Sequence, residues 1–191
     1  LNGPRLAGER LALRPITPAD LPSIVRWRNR PEVRRNIPNQ PLLTLPAQKK
    51  WYKRYLEDPS QVRFVLDAAE FGPIGVFGLT DLERDEGYAR LGIVIGEPKA
   101  RGKGLAREAL ELLLDFGFRK WKTGSPRGLH RVTAEVFDFN EPAIALYRKV
   151  GFKDEGRLRG AHWDAGKRRF SDVLVLGLLR EAWLRRRSVK P

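Results

Sequence analysis

The sequence contains no cysteine. That absence removes disulfides, thiolate nucleophiles and cysteine metal sites together. Imidazole is scarce as well. His130 and His162 are the two histidines, nothing pairs them at ligand spacing, and each reads as a strand or loop residue, so no metal is expected. Long apolar runs are missing too. The longest strongly apolar stretch, Val173 to Leu179, falls far short of the ~20 residues that cross a bilayer. Leu1 to Arg10 lack the apolar centre of a signal peptide, so a cytoplasmic protein without a membrane partner is expected. No internal repeat or low-complexity segment occurs.

What is present is an adequate core and a strong positive charge. The 191 residues are 41% hydrophobic, which suits one compact domain over 1–191. The net charge is +14. A surface of that sign attracts anions: phosphorylated small molecules, nucleic acid or acidic protein. The densest basic run is Arg185-Arg186-Arg187, and 181–191 reads as a solvated basic C-terminal tail.

Leu11 and Leu13 alternate with Ala12 and Arg14, the period of a strand over Glu9 to Pro15. Thr17-Pro18-Ala19-Asp20 reads as a helix start, with a hydroxyl cap, proline at the first helical position and an acid in the first turn. That helix is predicted to reach Asn29. A second is predicted from Thr44-Leu45-Pro46 through Trp51 and Leu56, ended by Asp58-Pro59. Val62 to Asp67, Ile74 to Leu82 and Tyr88 to Ile95 are predicted strands, with polar Glu83 to Gly87 as a hairpin turn. Gly104 to Lys120 forms a helix with Leu105, Ala109, Leu112, Leu113 and Phe116 on one face. Trp121 to Leu129 holds two glycines and a proline and reads as a loop. His130 to Phe137 is a strand. Asn140 caps a helix to Val150, and Gly151 ends it. Strands near Lys153 to Trp163 and Arg168 to Leu178 flank Asp164-Ala165-Gly166. The result is a mixed α/β (α+β) fold. Its mostly antiparallel sheet has about seven strands flanked by about four helices, with one βαβ crossover around the 104–120 helix.

The chemistry centres on Ile93-Val94-Ile95-Gly96-Glu97-Pro98-Lys99-Ala100-Arg101-Gly102-Lys103-Gly104-Leu105-Ala106. A strand runs into glycines and then a helix N-terminus. Glycines admit an anion to the backbone, and N–H groups with the helix dipole hold a pyrophosphate. Arg101 and Lys103 add charge. A P-loop is excluded, because the spacing from Gly96 to Gly102 is wrong and Gly104 follows Lys103 where Ser or Thr is needed. A dinucleotide fingerprint is excluded too. Arg107 stands where its third glycine belongs, and Lys122 to Arg127 is a loop where an acidic strand residue belongs.

Arg101, Gly104 and Ala106 match the short signature of the GNAT N-acetyltransferase superfamily. A second segment, Asn140-Glu141-Pro142-Ala143-Ile144-Ala145-Leu146-Tyr147-Arg148-Lys149-Val150-Gly151-Phe152, resembles that family's second coenzyme A motif. The similarity extends from Leu13-Arg14-Pro15 to Arg180-Glu181-Ala182-Trp183 and is strongest to the RimJ/RimL-like branch, including Glu155-Gly156-Arg157. The resemblance implies the GNAT fold and acetyl-CoA as cosubstrate. The backbone of Arg101, Gly102, Lys103, Gly104, Leu105 and Ala106 would bind the pyrophosphate. Ile93, Val94 and Ile95 would pair with the pantetheine arm, and Asn140 and Ala143 would meet the cofactor. Tyr147 would lie near the sulfur and protonate the leaving thiolate.

Direct attack by a neutral amine needs proximity, an acceptor for the amine proton and an acid for the thiolate. A backbone donor at Val94 or Ile95 would serve the tetrahedral intermediate. Many relatives carry a glutamate at the start of the strand before the glycine loop, where this sequence has Arg90. Glu135, on the strand leading to Asn140, is then the candidate base, with Asp81, Glu83 or a water chain behind it. Trp27-Arg28-Asn29 and the following Pro31-Glu32-Val33-Arg34 resemble acetyltransferases acting on nucleotide-linked amino sugars. Trp27, Arg28, Asn29 and Arg34 are therefore expected in the acceptor wall, the arginines suiting a diphosphate. The acceptor is a nucleotide-linked amino sugar or similar small amine, or a protein N-terminal α-amine. Polycationic amines fit +14 poorly. A homodimer is the family expectation. The other reading is a non-catalytic basic module of the same fold acting on nucleic acid or the ribosome.

Overall fold

The computed structural model describes residues 3–38, 41–120 and 128–188. The chain divides into two compact units, Leu1–Thr80 with Gly92–Leu113, and Asp81–Leu91 with Leu114–Pro191. Among the described residues eight strands pair by hydrogen bonds.

The first unit holds β1 (Leu6–Ala7), β2 (Leu11–Pro15), α1 (Leu21–Asn29), α2 (Pro31–Arg34), α3 (Leu45–Glu57) and β3 (Val62–Ala68). It also holds most of β4 (Gly72–Glu83), the end of β5 (Tyr88–Ile95) and the start of α4 (Leu105–Asp115). Strands β1 to β4 pair antiparallel. The alternation read in β2 is too simple, since Ala12 is buried along with Leu11 and Leu13. Ile16, Leu21, Ile24, Trp27 and Val65 form a core that Leu45, Trp51, Tyr52 and Val76 extend. The predicted start at Thr17 opens as a 3-10 turn, Pro18–Asp20, before α1.

That turn is fixed by charge. Asp20 accepts from the N–H and hydroxyl of Thr17, each at 2.8 Å. Arg14 reaches across with both Nη atoms at 2.8 Å from Asp20 and Nε at 2.9 Å from Asp67. Burial alone would raise the Asp20 carboxyl. The bonds from Arg14 and Thr17 outweigh it and hold the group below its ordinary range.

The second unit holds the remainder of β4 and β5, then β6 (Arg131–Phe137), α5 (Glu141–Val150), β7 (Lys153–Asp164), β8 (Arg169–Leu179) and α6 (Arg180–Ser188). Strands β5 and β6 pair parallel, as a crossover requires, while β6, β8 and β7 pair antiparallel.

Three expectations change. Helix α4 stops at Asp115, and Phe116–Lys120 continues as a π-helical turn. The Gly117 carbonyl accepts from Leu129 N–H and the Phe118 carbonyl from Arg180 Nε, both at 3.0 Å, so both are bonded beyond their own helix. The buried face of α4 includes Leu110 and Leu114, with Leu112 only half-buried. The segment read as a loop, Trp121 to Leu129, lies outside the described residues up to Arg127.

The third change is at the C-terminus. Of the predicted tail, 181–188 belong to helix α6, with Trp183 buried, and 189–191 lie outside the described residues. Trp183 Nε1 donates to Asp115 at 2.8 Å, Arg187 donates to the same carboxylate at 2.6 Å, and Arg186 donates to the Lys149 carbonyl at 2.6 Å. A basic run is therefore used for tertiary contacts. Among the described residues no helix is long and apolar enough to cross a membrane.

Asp20→Asn leaves Arg14 with one carboxylate, and a loss of about 3 kcal/mol is expected in urea denaturation at pH 7. The folded Asp20 pKa is lowered. Its contribution is therefore complete above the unfolded pKa and lost as pH falls from about 4 through the folded value. The variant should show the shallower acid decline, and parallel curves would refute this.

Candidate active site

In the first unit, β5 ends at Ile95 and a 3-10 turn covers Pro98–Ala100. An exposed loop over 101–104 then leads into α4. Gly102 and Gly104 have φ of +73° and +78°. Side chains rarely tolerate that region, so glycine is required at both. A Cβ on Gly102 would point into open space. Arg101 and Lys103 are exposed, and Arg101 also donates to the Ile95 carbonyl at 3.2 Å. An accessible backbone, two cations and the N-terminus of an eleven-residue helix fit a pyrophosphate. Leu105 is buried and Ala106 half-buried, so these two anchor the loop. Ile93, Val94 and Ile95 are half-buried at the end of β5.

The loop is held at its root by α1. Trp27 is buried against Gly96, where any Cβ would overlap the indole. Trp27 Nε1 donates to Glu97 Oε1 at 2.6 Å. Arg26 donates to the same oxygen at 3.2 Å, and Arg30 lies 3.5 Å from Oε2. The indole bond, with these arginines, keeps the Glu97 carboxylate below its ordinary range. The N–H groups of Gly96 and Glu97 both reach the Ile74 carbonyl, at 2.8 and 3.1 Å.

Two residues of the predicted acceptor wall, Trp27 and Asn29, have structural partners. Trp27 braces the loop from the core. The Asn29 amide donates to the Leu43 carbonyl at 2.7 Å and accepts from Leu43 N–H at 2.8 Å, fixing the chain ahead of α3. Arg28 is half-buried, and its loss of hydration lowers its pKa. Arg34 is half-buried and donates to the Pro41 carbonyl at 3.4 Å. Glu97 was missed by sequence reading, because nothing local marks a partner seventy positions away.

In the second unit, Glu135 is an exposed residue of β6. Arg90 lies between two carboxylates, with Nη2 3.5 Å from Glu135 and Nε 3.3 Å from Asp81. Burial would lower the Arg90 pKa. Tyr88, Glu135 and Asp81 outweigh it and raise the pKa, so Arg90 stays cationic. Asp81 has a left-handed φ of +51°, a costly conformation for a residue with a side chain. Beside this cluster, Tyr88 and Thr133 share a 2.7 Å hydroxyl bond.

Strand β6 leads to Asn140, whose side chain caps α5 by accepting from Ala143 N–H at 3.4 Å. Tyr147 is buried on α5 with its ring 5.6 Å from that of Phe152. Burial pushes its phenol up to about 12. An open cavity of about 490 Å³ flanks α5 between Asp138, Glu141, Arg148, Arg157 and Leu174. None of the predicted site residues lines it. Its arginines are engaged, Arg148 by Asp154 and Arg157 by Asp138 and Asp172. Among the described residues no group of three or more acidic or histidine side chains is arranged to hold a metal.

Gly96→Ala forces a methyl group onto the Trp27 indole. A stability loss of about 2 kcal/mol in chemical denaturation is expected, with weaker coenzyme A binding. Wild-type values for both would show that the indole has room to yield.

The comparisons agree with this architecture. Residues 10–153 match the acetyltransferase (GNAT) domain family, through both units. Spermidine N(1)-acetyltransferase of Escherichia coli K12 is 31% identical over 146 residues, covering 76% of this chain and 74% of its own. Human alpha/beta-tubulin-N-acetyltransferase 9 is 31% identical, with 78% and 74% covered. The crystal structure of the Vibrio cholerae spermidine N-acetyltransferase, in complex with CoA and spermine, superposes with a TM-score of 0.83. It is 26% identical and covers 93% of this chain and 99% of its own. With loop, helix order and family match in agreement, the chain belongs to the GNAT acetyltransferases and is an acetyl-CoA-dependent N-acetyltransferase.

Proposed function

We propose that the acceptor is a primary amine carried by an acidic molecule, and that a protein N-terminal α-amine suits this chain best. The net charge of +14 carries the reading, because it draws anionic partners and repels free polycations. The likeness to the human tubulin acetyltransferase supports a protein acceptor. So does the RimJ/RimL-like character of the motifs. A nucleotide-linked amino sugar is the second reading. It rests on Arg28 and Arg34 as diphosphate partners, since Trp27 and Asn29 serve the fold. Spermidine, the substrate in the names of several relatives, is the comparison to beat.

In this reading the loop from Arg101 to Ala106 holds the cofactor pyrophosphate, and Ile93 to Ile95 guide the pantetheine arm. Asn140 and Ala143 meet the cofactor at the start of α5. Acetyl-CoA supplies the activated acetyl thioester. Glu135 takes the amine proton, directly or through water, with Arg90 holding one of its oxygens. The N–H of Val94 or Ile95 faces the developing oxyanion. Tyr147 gives its proton to the departing thiolate, and its raised pKa keeps that proton in place across the working range. On this reading the enzyme works in the cytoplasm as one catalytic domain over 1–191 and as a homodimer. The Vibrio relative is described as dodecameric, so light scattering after gel filtration decides the assembly.

Tyr147→Phe should cut kcat by about a hundredfold or more while coenzyme A still binds. Full activity at neutral pH would remove Tyr147 from the chemistry. The wild-type rate should show no alkaline loss from this group up to about pH 10. For the acceptor, enzyme and acetyl-CoA meet a mixture of acidic N-terminal peptides, nucleotide-linked amino sugars and spermidine, read by mass spectrometry. Acetylated peptide supports the leading reading, acetylated sugar the second, and preferential acetylation of spermidine overturns the charge argument.

A further inference from the structure

A residue outside the recognised motifs grips the cofactor loop. Arg10 is the last residue of the turn between β1 and β2. Its Nη1 donates to the Lys103 carbonyl at 3.0 Å, and its Nε donates to Glu108 Oε2 at 3.0 Å. Its backbone N–H donates to Glu108 Oε1 at 2.9 Å. Its Nη2 lies 3.5 Å from where a Cβ of Gly104 would stand. Gly8, in the same turn, makes room: a Cβ there would come within 2.7 Å of Glu108 Oε1. These residues all belong to the first unit.

Two physical consequences follow. The Lys103–Gly104 peptide is planar and trans, so its carbonyl and N–H point opposite ways. Holding the carbonyl on Arg10 turns the Gly104 N–H away from Arg10. Glu108 sits in the first turn of α4, where its carboxylate competes with any bound anion for the helix dipole. Pairing with Arg10 cancels that charge beside the loop.

We infer that Arg10 is a positioning residue of the cofactor's phosphate site, setting the Lys103–Gly104 peptide and neutralising Glu108. This rests on the reading of Arg101 to Ala106 as the pyrophosphate loop. Arg10→Gln should weaken coenzyme A binding about tenfold or more in calorimetry at fixed ionic strength. The KM for acetyl-CoA should rise far more than kcat falls. Arg10→Gln with Glu108→Gln should recover part of the lost affinity, because the uncancelled carboxylate is gone. A purely structural clamp would gain nothing from losing its second partner. Gly8→Ala, which presses on Glu108 and leaves Arg10 intact, should weaken binding in the same direction, and thermal melts of the unliganded variants report folding separately. Gly104→Asp is the control for the loop itself and should abolish binding.

An Arg10→Gln affinity within twofold of wild type, with Gly104→Asp inactive in binding, overturns the role of Arg10 and leaves the loop reading standing. Unchanged binding in Gly104→Asp overturns the loop reading. Equal losses in the single and double Arg10 variants overturn the neutralising role.

Discussion

The glycine loop before α4 depends on one contact, the fit of the Trp27 indole against Gly96 with its N–H on Glu97. The loop itself is exposed, and its glycines give the backbone freedom that folding must restrain. Restraint comes at the root. The indole leaves no room for a side chain at position 96, and its bond to Glu97 is reinforced by Arg26 and Arg30. An exposed glycine loop is thereby attached to a buried aromatic core. Truncating such an indole typically costs about 3–5 kcal/mol, so the attachment is substantial compared with the stability of a domain.

Arginine does much of this restraint elsewhere in the molecule. Arg14 joins Asp20 to Asp67, Arg10 joins Glu108 to the Lys103 carbonyl, Arg90 lies between Asp81 and Glu135, and Arg187 closes on Asp115. A planar fork with several donors suits such bridging better than a lysine ammonium does. The positive charge of the chain is thus partly structural, and composition alone could not divide the bridging arginines from those free to attract a partner.

Much of the fold was legible in the sequence, because local patterns dictated it. Pro46 and Thr44 began α3, Asn140 and Gly151 bounded α5, and the glycines before α4 carried the family resemblance. What escaped was long-range. Trp27 read as part of an acceptor wall because its partner, Glu97, lies across the fold. The Arg185 to Arg187 run read as tail because its anchors, Asp115 and the Lys149 carbonyl, come from distant elements. Strand β1 has two residues and no periodicity to detect. The pairing of Glu135 with Arg90 was out of reach too, because it required the parallel register of β5 and β6.

The π-helical turn after α4 bears on how this chain relates to others. A π turn accommodates one residue more than an α turn over the same rise. Here two carbonyls within that turn, those of Gly117 and Phe118, bond to Leu129 and Arg180. A homologue with a regular helix in this place would be one residue shorter. A gap in an alignment at positions 116–120 would then mark a local change of winding, and residues on either side would keep their structural equivalence although their numbering slips.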